Sequence, residues 1–341
     1  MTSFVPSTRS NGAGSPDAHQ NSSDIENLLA RGWANLPPEY AIPAVTPSLD
    51  EARRYCKKLA TSHYENFSVA TWFLPKYLHQ HFFNVYAYCR ISDDLGDEAG
   101  DRTVSLALLE RWQQELDATY CGLENGAAAG TVRHPVFVAL ADTIRTFAIP
   151  KHEFGDLLTA FRQDQTVVRY ESFDELLGYC KNSANPVGHL VLYLCEYKDE
   201  ERQRLSDYTC TALQMANFWQ DVSVDWNKGR VYLPLEDLRR FGVSESQIAE
   251  GRFNGQFREL MRFEVERARE WFDRGLPLVK MVNRSLALDL ELFSRGGLAI
   301  LQAIEAQDYN VLARRPSLSK LRKAELAFRA LAGRIALGRA G

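Results

Sequence analysis

Two short segments carry acidic residues at spacings that chemistry can use. In the first, Tyr86-Ala-Tyr-Cys-Arg90-Ile-Ser-Asp93-Asp94-Leu-Gly-Asp97, the residues Asp93 and Asp97 stand four apart and so share one face of a helix, with Arg90 and Tyr86 extending that stripe toward the helix start. In the second, Gln214, Asn217, Asp221 and Asp225 follow at steps of three, four and four, while Leu213, Phe218, Trp219 and Val222 beside them are apolar. Polar stripes in otherwise apolar helices need solvent, a partner or a ligand. Mg²⁺ fits: it takes oxygen ligands, keeps several waters, and is typically shared between carboxylates and phosphate oxygens of a substrate. A carboxylate and a phosphate about 4 Å apart repel by roughly 4 kcal/mol at an effective dielectric near 20 until a cation lies between them.

Taken singly, each aspartate pair reads equally well as a solvated helix face, and Arg90 as a surface partner for Asp93, Asp94 or Asp97. Two pairs with matched spacing and flanking aromatics argue against that, because they make chemical sense only when they face each other.

The elements that must bring them together are helical. Apolar residues recur at spacings of three and four over 106–120, 135–147, 172–181, 202–219, 257–276 and 286–306, and sustained alternating strands are missing. Ser48 with Glu51 three residues on reads as a capping box opening the first long helix. Residues 1–24 are rich in Ser, Asn, Gly, Pro and Ala and read as a disordered tail, with Pro37, Pro38 and Pro43 making an irregular lead-in to residue 45. One all-α domain over 46–335 is expected, with the Gly-containing breaks at 122–130 and 251–255 as loops inside it.

Composition narrows the function. Forty basic and 44 acidic residues leave a net charge of −4 without a Lys/Arg block, which argues against nucleic acid as a partner. The six cysteines lack the short paired spacings of zinc sites or disulfide frameworks and read as reduced core thiols. His79 and His81 have no metal-ligand spacing and read as packing or surface residues. The apolar run near Leu190 is too short to span a bilayer, so a cytoplasmic protein is expected, with room for peripheral contact at the inner membrane.

The two acidic motifs, the second continuing through Gln220 to Gly229-Arg230-Val-Tyr232-Leu-Pro234, resemble those of the squalene and phytoene synthase family over residues 48–331. The resemblance implies an all-α, single-domain isoprenoid synthase bundle around a central cavity, acting head to head on prenyl diphosphates with pathway partner enzymes. It implies that Asp93, Asp97, Asp221 and Asp225 ligate Mg²⁺, and that His63, Arg90, Gln214, Asn217 and Arg230 bind or place the diphosphate. Tyr86 would stabilise a passing carbocation through its ring, and Arg230 and Tyr232 would help close the cavity.

Two departures from the family pattern resemble the hydroxysqualene synthase branch. His63-Tyr-Glu65-Asn66-Phe67 stands where relatives usually read His-Ser-Lys-Ser-Phe, and Asn182 and Asn185 stand where relatives commonly carry an aromatic residue and Gly. That branch takes presqualene diphosphate and ends its carbocation with water, a role that suits a polar Asn182. No Gly-rich nucleotide loop follows a strand, so NADPH is not expected. Squalene, dehydrosqualene or phytoene synthases acting on farnesyl diphosphate or its longer homologue are the near alternatives, and a non-catalytic helical partner protein is the distant one. The basic stretch Arg314-Arg315 near the end reads as surface.

Overall fold

The computed structural model describes residues 17–62, 74–126 and 132–318, with side chains from residue 25 onward. Among these residues there is no β-strand and no helix long and apolar enough to cross a membrane. The helices are α1 (Asp17–Asn35), α2 (Leu49–Ser62), α3 (Lys76–Asp97), α4 (Arg102–Glu124), α5 (Pro135–Phe147), α6 (Lys151–Gln163), α7 (Phe173–Ser183), α8 (Asn185–Leu194), α9 (Glu200–Asn227), α10 (Leu235–Arg240), α11 (Glu245–Ala249), α12 (Gly255–Gly275) and α13 (Arg284–Ala306).

Each acidic motif ends a long helix held by a buried apolar stripe. On α3, Leu78, Phe82, Val85, Tyr88, Ile91 and Leu95 recur at helical spacing and pack against α2, α4, α5 and α6. The fully buried Tyr88 donates its hydroxyl to the Phe154 carbonyl at 2.9 Å, so even the polar tip of that stripe is satisfied. On α9, Ala212, Met215, Ala216, Phe218, Trp219 and Val222 are buried against α12 and α13. Asp199 caps α9 by accepting from the Arg202 amide at 3.1 Å. The shorter α8 packs on both α3 and α9. Gly188 of α8 permits its approach to α9: a Cβ there would lie 2.3 Å from Ser206 Oγ and 2.5 Å from Cys210 Sγ.

The capping box at α2 is formed as read, with Glu51 accepting from the Ser48 amide at 2.8 Å and its hydroxyl at 2.6 Å. His79 and His81 make packing contacts, to the Leu74 carbonyl and to Thr143 Oγ1, each at 3.0 Å. All six cysteines are free.

The tail expectation needs correction. From Asp17 the chain is helical, and α1 lies along α4. Leu28, Leu29 and Trp33 join the core, and the close seat of Gly32 on Leu108 and Val104 leaves no room for a larger residue. Those apolar residues come late in a segment whose first half is polar, which hid the helix. The lead-in is likewise structural, since Leu36 and Tyr40 are buried in the same core.

Candidate active site

The C-terminal half of α3 and Gln214 in the middle of α9 border one cavity of about 780 Å³, whose lining does not include Asp221 and Asp225 further along α9. Its wall includes Tyr86, Arg90, Asp93 and Asp97 from α3, Gln214 from α9, Arg230 and Tyr232 from the loop after α9, and Asp164 and Tyr179 from the end of α6 and from α7. At its inner side, Tyr86, Cys89 and Val187 also line a second, almost wholly apolar cavity reaching Leu192, Leu213, Leu290 and Phe293. A polar mouth therefore leads into an apolar interior.

The three aspartates of α3 have different surroundings. Asp94 points inward and is 5% exposed. Its carboxylate accepts from the Tyr40 hydroxyl at 2.8 Å and pairs with Arg90 at 2.6 Å, so it anchors the helix end and orients the guanidinium that lines the cavity. Arg90 is thus more than a surface partner. Asp93 has a side chain 52% exposed, into the cavity mouth. Partial burial, then the like charges of Asp97 and Asp94, push its carboxyl up to about 6 against the opposing pull of Arg90. Asp97 meets Arg230 at 3.2 Å and Lys228 at 3.5 Å.

On α9 the pattern repeats with other partners. Arg315 makes a two-point ion pair with Asp221, its Nη2 at 3.0 Å from Oδ2, and also reaches Gln220 at 3.2 Å. Burial and the neighbouring Asp221 push the Asp225 carboxyl up to about 7. The turn after α9 returns at once: Gly229 adopts φ +79°, and the Arg230 amide donates to the Asp225 carbonyl at 2.8 Å. Val231 and Leu235 then bond the carbonyls of Val168 and Tyr170, which brings Arg230 and Tyr232 over the mouth. Tyr232 stacks on Phe218 with centroids 3.9 Å apart and meets Tyr170 and Tyr179 at 5.8 Å, forming an aromatic wall.

Of the residues singled out in the sequence, Tyr86, Arg90, Asp93, Asp97, Gln214 and Arg230 line the mouth. Asn217 lies between Gln214 and Asp221 on α9 and is exposed. Asn182 is half-buried on α7, and the cavity is lined there by Tyr179 and Ser183 instead. His63, with Glu65, Asn66 and Phe67, lies outside the described residues.

Four contributors were not assigned a role from sequence. Asp164 is pushed up to about 6 by burial and accepts from the Tyr179 hydroxyl at 2.9 Å. It follows α6 without a periodic acidic partner, so no spacing marks it. Lys228 and Arg315 become visible only once the chain folds back on the two acidic helices.

The donor set is compatible with a hard cation. Asp93, Asp97, Asp221 and Asp225 offer only carboxylate oxygens, two of these groups are raised by burial and then by neighbouring negative charge, and the other two are engaged by Lys or Arg. Among the described residues no three His, Cys, Asp or Glu side chains gather closely enough to hold an ion alone.

Comparison with known proteins agrees with the fold and the motifs. Residues 60–322 match the squalene/phytoene synthase family, and the chain belongs to it. It is 32% identical to a phytoene synthase of Mycobacterium tuberculosis over 296 residues, covering 85% of this chain and 94% of that protein. It is 30% identical to a 15-cis-phytoene synthase of Synechocystis sp. over 287 residues, covering 80% and 83%. Among solved structures, squalene synthase HpnC from Alicyclobacillus acidocaldarius superposes with a TM-score of 0.72 at 41% identity, over 82% of this chain and 99% of that one. A dehydrosqualene synthase shares the fold with a TM-score of 0.73 at 24% identity, over 84% and 98%.

Proposed function

We propose that the protein is a Mg²⁺-dependent head-to-head isoprenoid synthase that converts presqualene diphosphate and water to hydroxysqualene and diphosphate. The observation that carries this is a polar mouth lined by Arg90, Asp93 and Asp97 of α3, Gln214 of α9 and Arg230 of the loop after it, which opens inward to an apolar cavity with room for isoprenoid tails. The thirty-carbon branch is favoured by 41% identity to a squalene synthase against 30–32% to phytoene synthases. Water as terminator is favoured by the polar departures at Glu65 and Asn182.

In this reading Asp93, Asp97, Asp221 and Asp225 hold Mg²⁺, which when bound supplies positive charge that neutralises the leaving diphosphate. Arg90 and Arg230 face the same oxygens, with Gln214 and Asn217 placing them, and His63 belongs to the same diphosphate-binding set. Tyr86 at the neck between the two cavities presents a π face to the cation without offering a strong nucleophile. The stacked Tyr232 and Phe218 keep bulk water from that wall, so water reaches the cation singly. Asn182, beside Tyr179 and Ser183, is the polar group we assign to that water. The product is apolar, which suits peripheral membrane contact or handover to a partner enzyme.

The test is incubation with presqualene diphosphate and Mg²⁺ in ¹⁸O-labelled water, with and without NADPH, followed by mass spectrometry. A labelled thirty-carbon alcohol formed without NADPH is expected. A hydrocarbon as sole product places the protein with the squalene, dehydrosqualene or phytoene synthases, a second reading that the matching phytoene synthases favour. An unchanged alcohol yield in Asn182→Tyr removes that residue's role.

A further inference from the structure

Beside the mouth lies a second polar pocket, of about 270 Å³, that shares Asp97 and Arg230 with it. The turn from α3 to α4 builds one side of it. Gly100 adopts φ +113°, a conformation that favours glycine, and the first residues of α4 then stand against the end of α3. Ser105 ties the two together by donating its hydroxyl to the Gly96 carbonyl at 3.1 Å. Lys228 and Arg230, from the turn after α9, complete the lining.

Every residue lining this pocket is polar or glycine, and its principal acceptors are committed. Asp101 caps α4 by accepting from the Val104 amide at 3.0 Å, and its other oxygen takes Arg31 at 3.0 Å. Asp97 is met by Arg230 and Lys228. The Gly96 carbonyl accepts from Gln165 at 3.0 Å as well as from Ser105. Donors remain. Lys228 gives Asp97 one contact from an ammonium with three hydrogens, and Arg230 makes its bonds to Asp97 and Asp164 through Nη2 alone. Arg102, exposed on the first turn of α4, makes no ion pair among the described residues.

A pocket with engaged acceptors and cations that keep free donors suits an anion. Three cations line it against two carboxylates, one of which Arg31 already pairs from outside. With no apolar wall it offers nothing to an isoprenoid tail, so the anion it suits carries none. Cleavage of a prenyl diphosphate at the adjoining mouth supplies such an anion, inorganic diphosphate.

We propose that this pocket is a metal-independent site for inorganic diphosphate, which enters it from the mouth past Arg230, the cation common to both walls. The leaving group is thereby drawn outward while the apolar product stays in the inner cavity. The inference rests on the reading above only in that diphosphate is released at the mouth; the identity of the isoprenoid product does not enter. Arg102 lines this pocket and not the mouth, whereas Arg90 lines the mouth alone, so the two arginines separate the sites.

The experiment titrates inorganic diphosphate in excess chelator, followed by ³¹P NMR, into the wild type, Arg102→Glu, Arg102→Lys and Arg90→Gln. The wild type should bind with a Kd on the order of 1 mM or tighter. Reversing the charge in Arg102→Glu should weaken binding about tenfold, Arg102→Lys should stay within about twofold of the wild type, and Arg90→Gln should keep the wild-type affinity. Thermal melting of each variant shows that the fold is intact. Absence of binding in the wild type, equal affinity in Arg102→Glu, or a loss in folded Arg90→Gln, which would put the anion in the mouth, overturns the inference. The titration holds neither metal nor isoprenoid, so its failure is separate from any failure of the ¹⁸O assay.

Discussion

The two acidic helices solve one problem by different means. On α3 a third carboxylate, Asp94, turns inward and is locked by Tyr40 and Arg90, so the helix end is anchored by charge. On α9 the position after Asp221 is Val222, buried among aromatics, so that end is anchored by apolar packing. The cations that balance the carboxylates of the two helices also differ in origin. Asp97 is met by Lys228 and Arg230 from the loop after α9, whereas Asp221 is met by Arg315 from beyond α13. Each acidic wall is thus balanced by chain from elsewhere, and similar spacings conceal different supports.

The comparison is broken most severely by removing a carboxylate of the acidic stripe on either side. Asp97→Asn and Asp221→Asn should each lower turnover of presqualene diphosphate roughly a thousandfold, about 4 kcal/mol of transition-state stabilisation. Circular dichroism should stay unchanged. A fall in one variant only would show that the walls do not act together.

Next is the strut that ties α9 to α6 through α8. His189 of α8 bonds Glu153 of α6 at 3.0 Å and Asp207 of α9 at 2.7 Å. Burial alone would lower its pKa, but the Asp207 and Glu153 hydrogen bonds outweigh it and raise the imidazole to about 9. A folded pKa above the unfolded value of 6.5 means the contribution is fully present below pH 6.5 and lost as pH rises through 9. Urea unfolding should show about 3 kcal/mol lost over that window in the wild type and a flatter curve in His189→Gln.

Asp94→Ala should cost about 2 kcal/mol, because it strands Arg90 and Tyr40 at a partly buried site. Asp93→Ala, facing the mouth, should leave the melting temperature nearly unchanged. Equal losses in the two would contradict the division of labour on α3. The smallest effect belongs to Arg315→Ala: freeing Asp221 from a half-exposed ion pair should tighten Mg²⁺ binding about threefold to fivefold by calorimetry.

The long helices were legible because the α3 and α9 stripes keep a helical period over five or more turns, and the acidic positions interrupt that period visibly. Short α8 was not, since its function is to fit between two longer helices, which depends on Gly188 meeting Ser206 and Cys210. Helix α1 was hidden by a polar first half. Within the site, residues on the two periodic helices were found, while Asp164, Tyr179, Lys228 and Arg315 reach it through turns and return segments.

The most direct test of the account titrates inorganic diphosphate into the wild type, Asp97→Asn and Asp225→Asn, each with Mg²⁺ and in excess chelator. If the two helices jointly hold one metal–diphosphate complex, the wild type binds at least about tenfold more tightly with Mg²⁺, and a substitution on either wall removes most of that gain. Equal affinity in chelator, or loss confined to one helix, contradicts it.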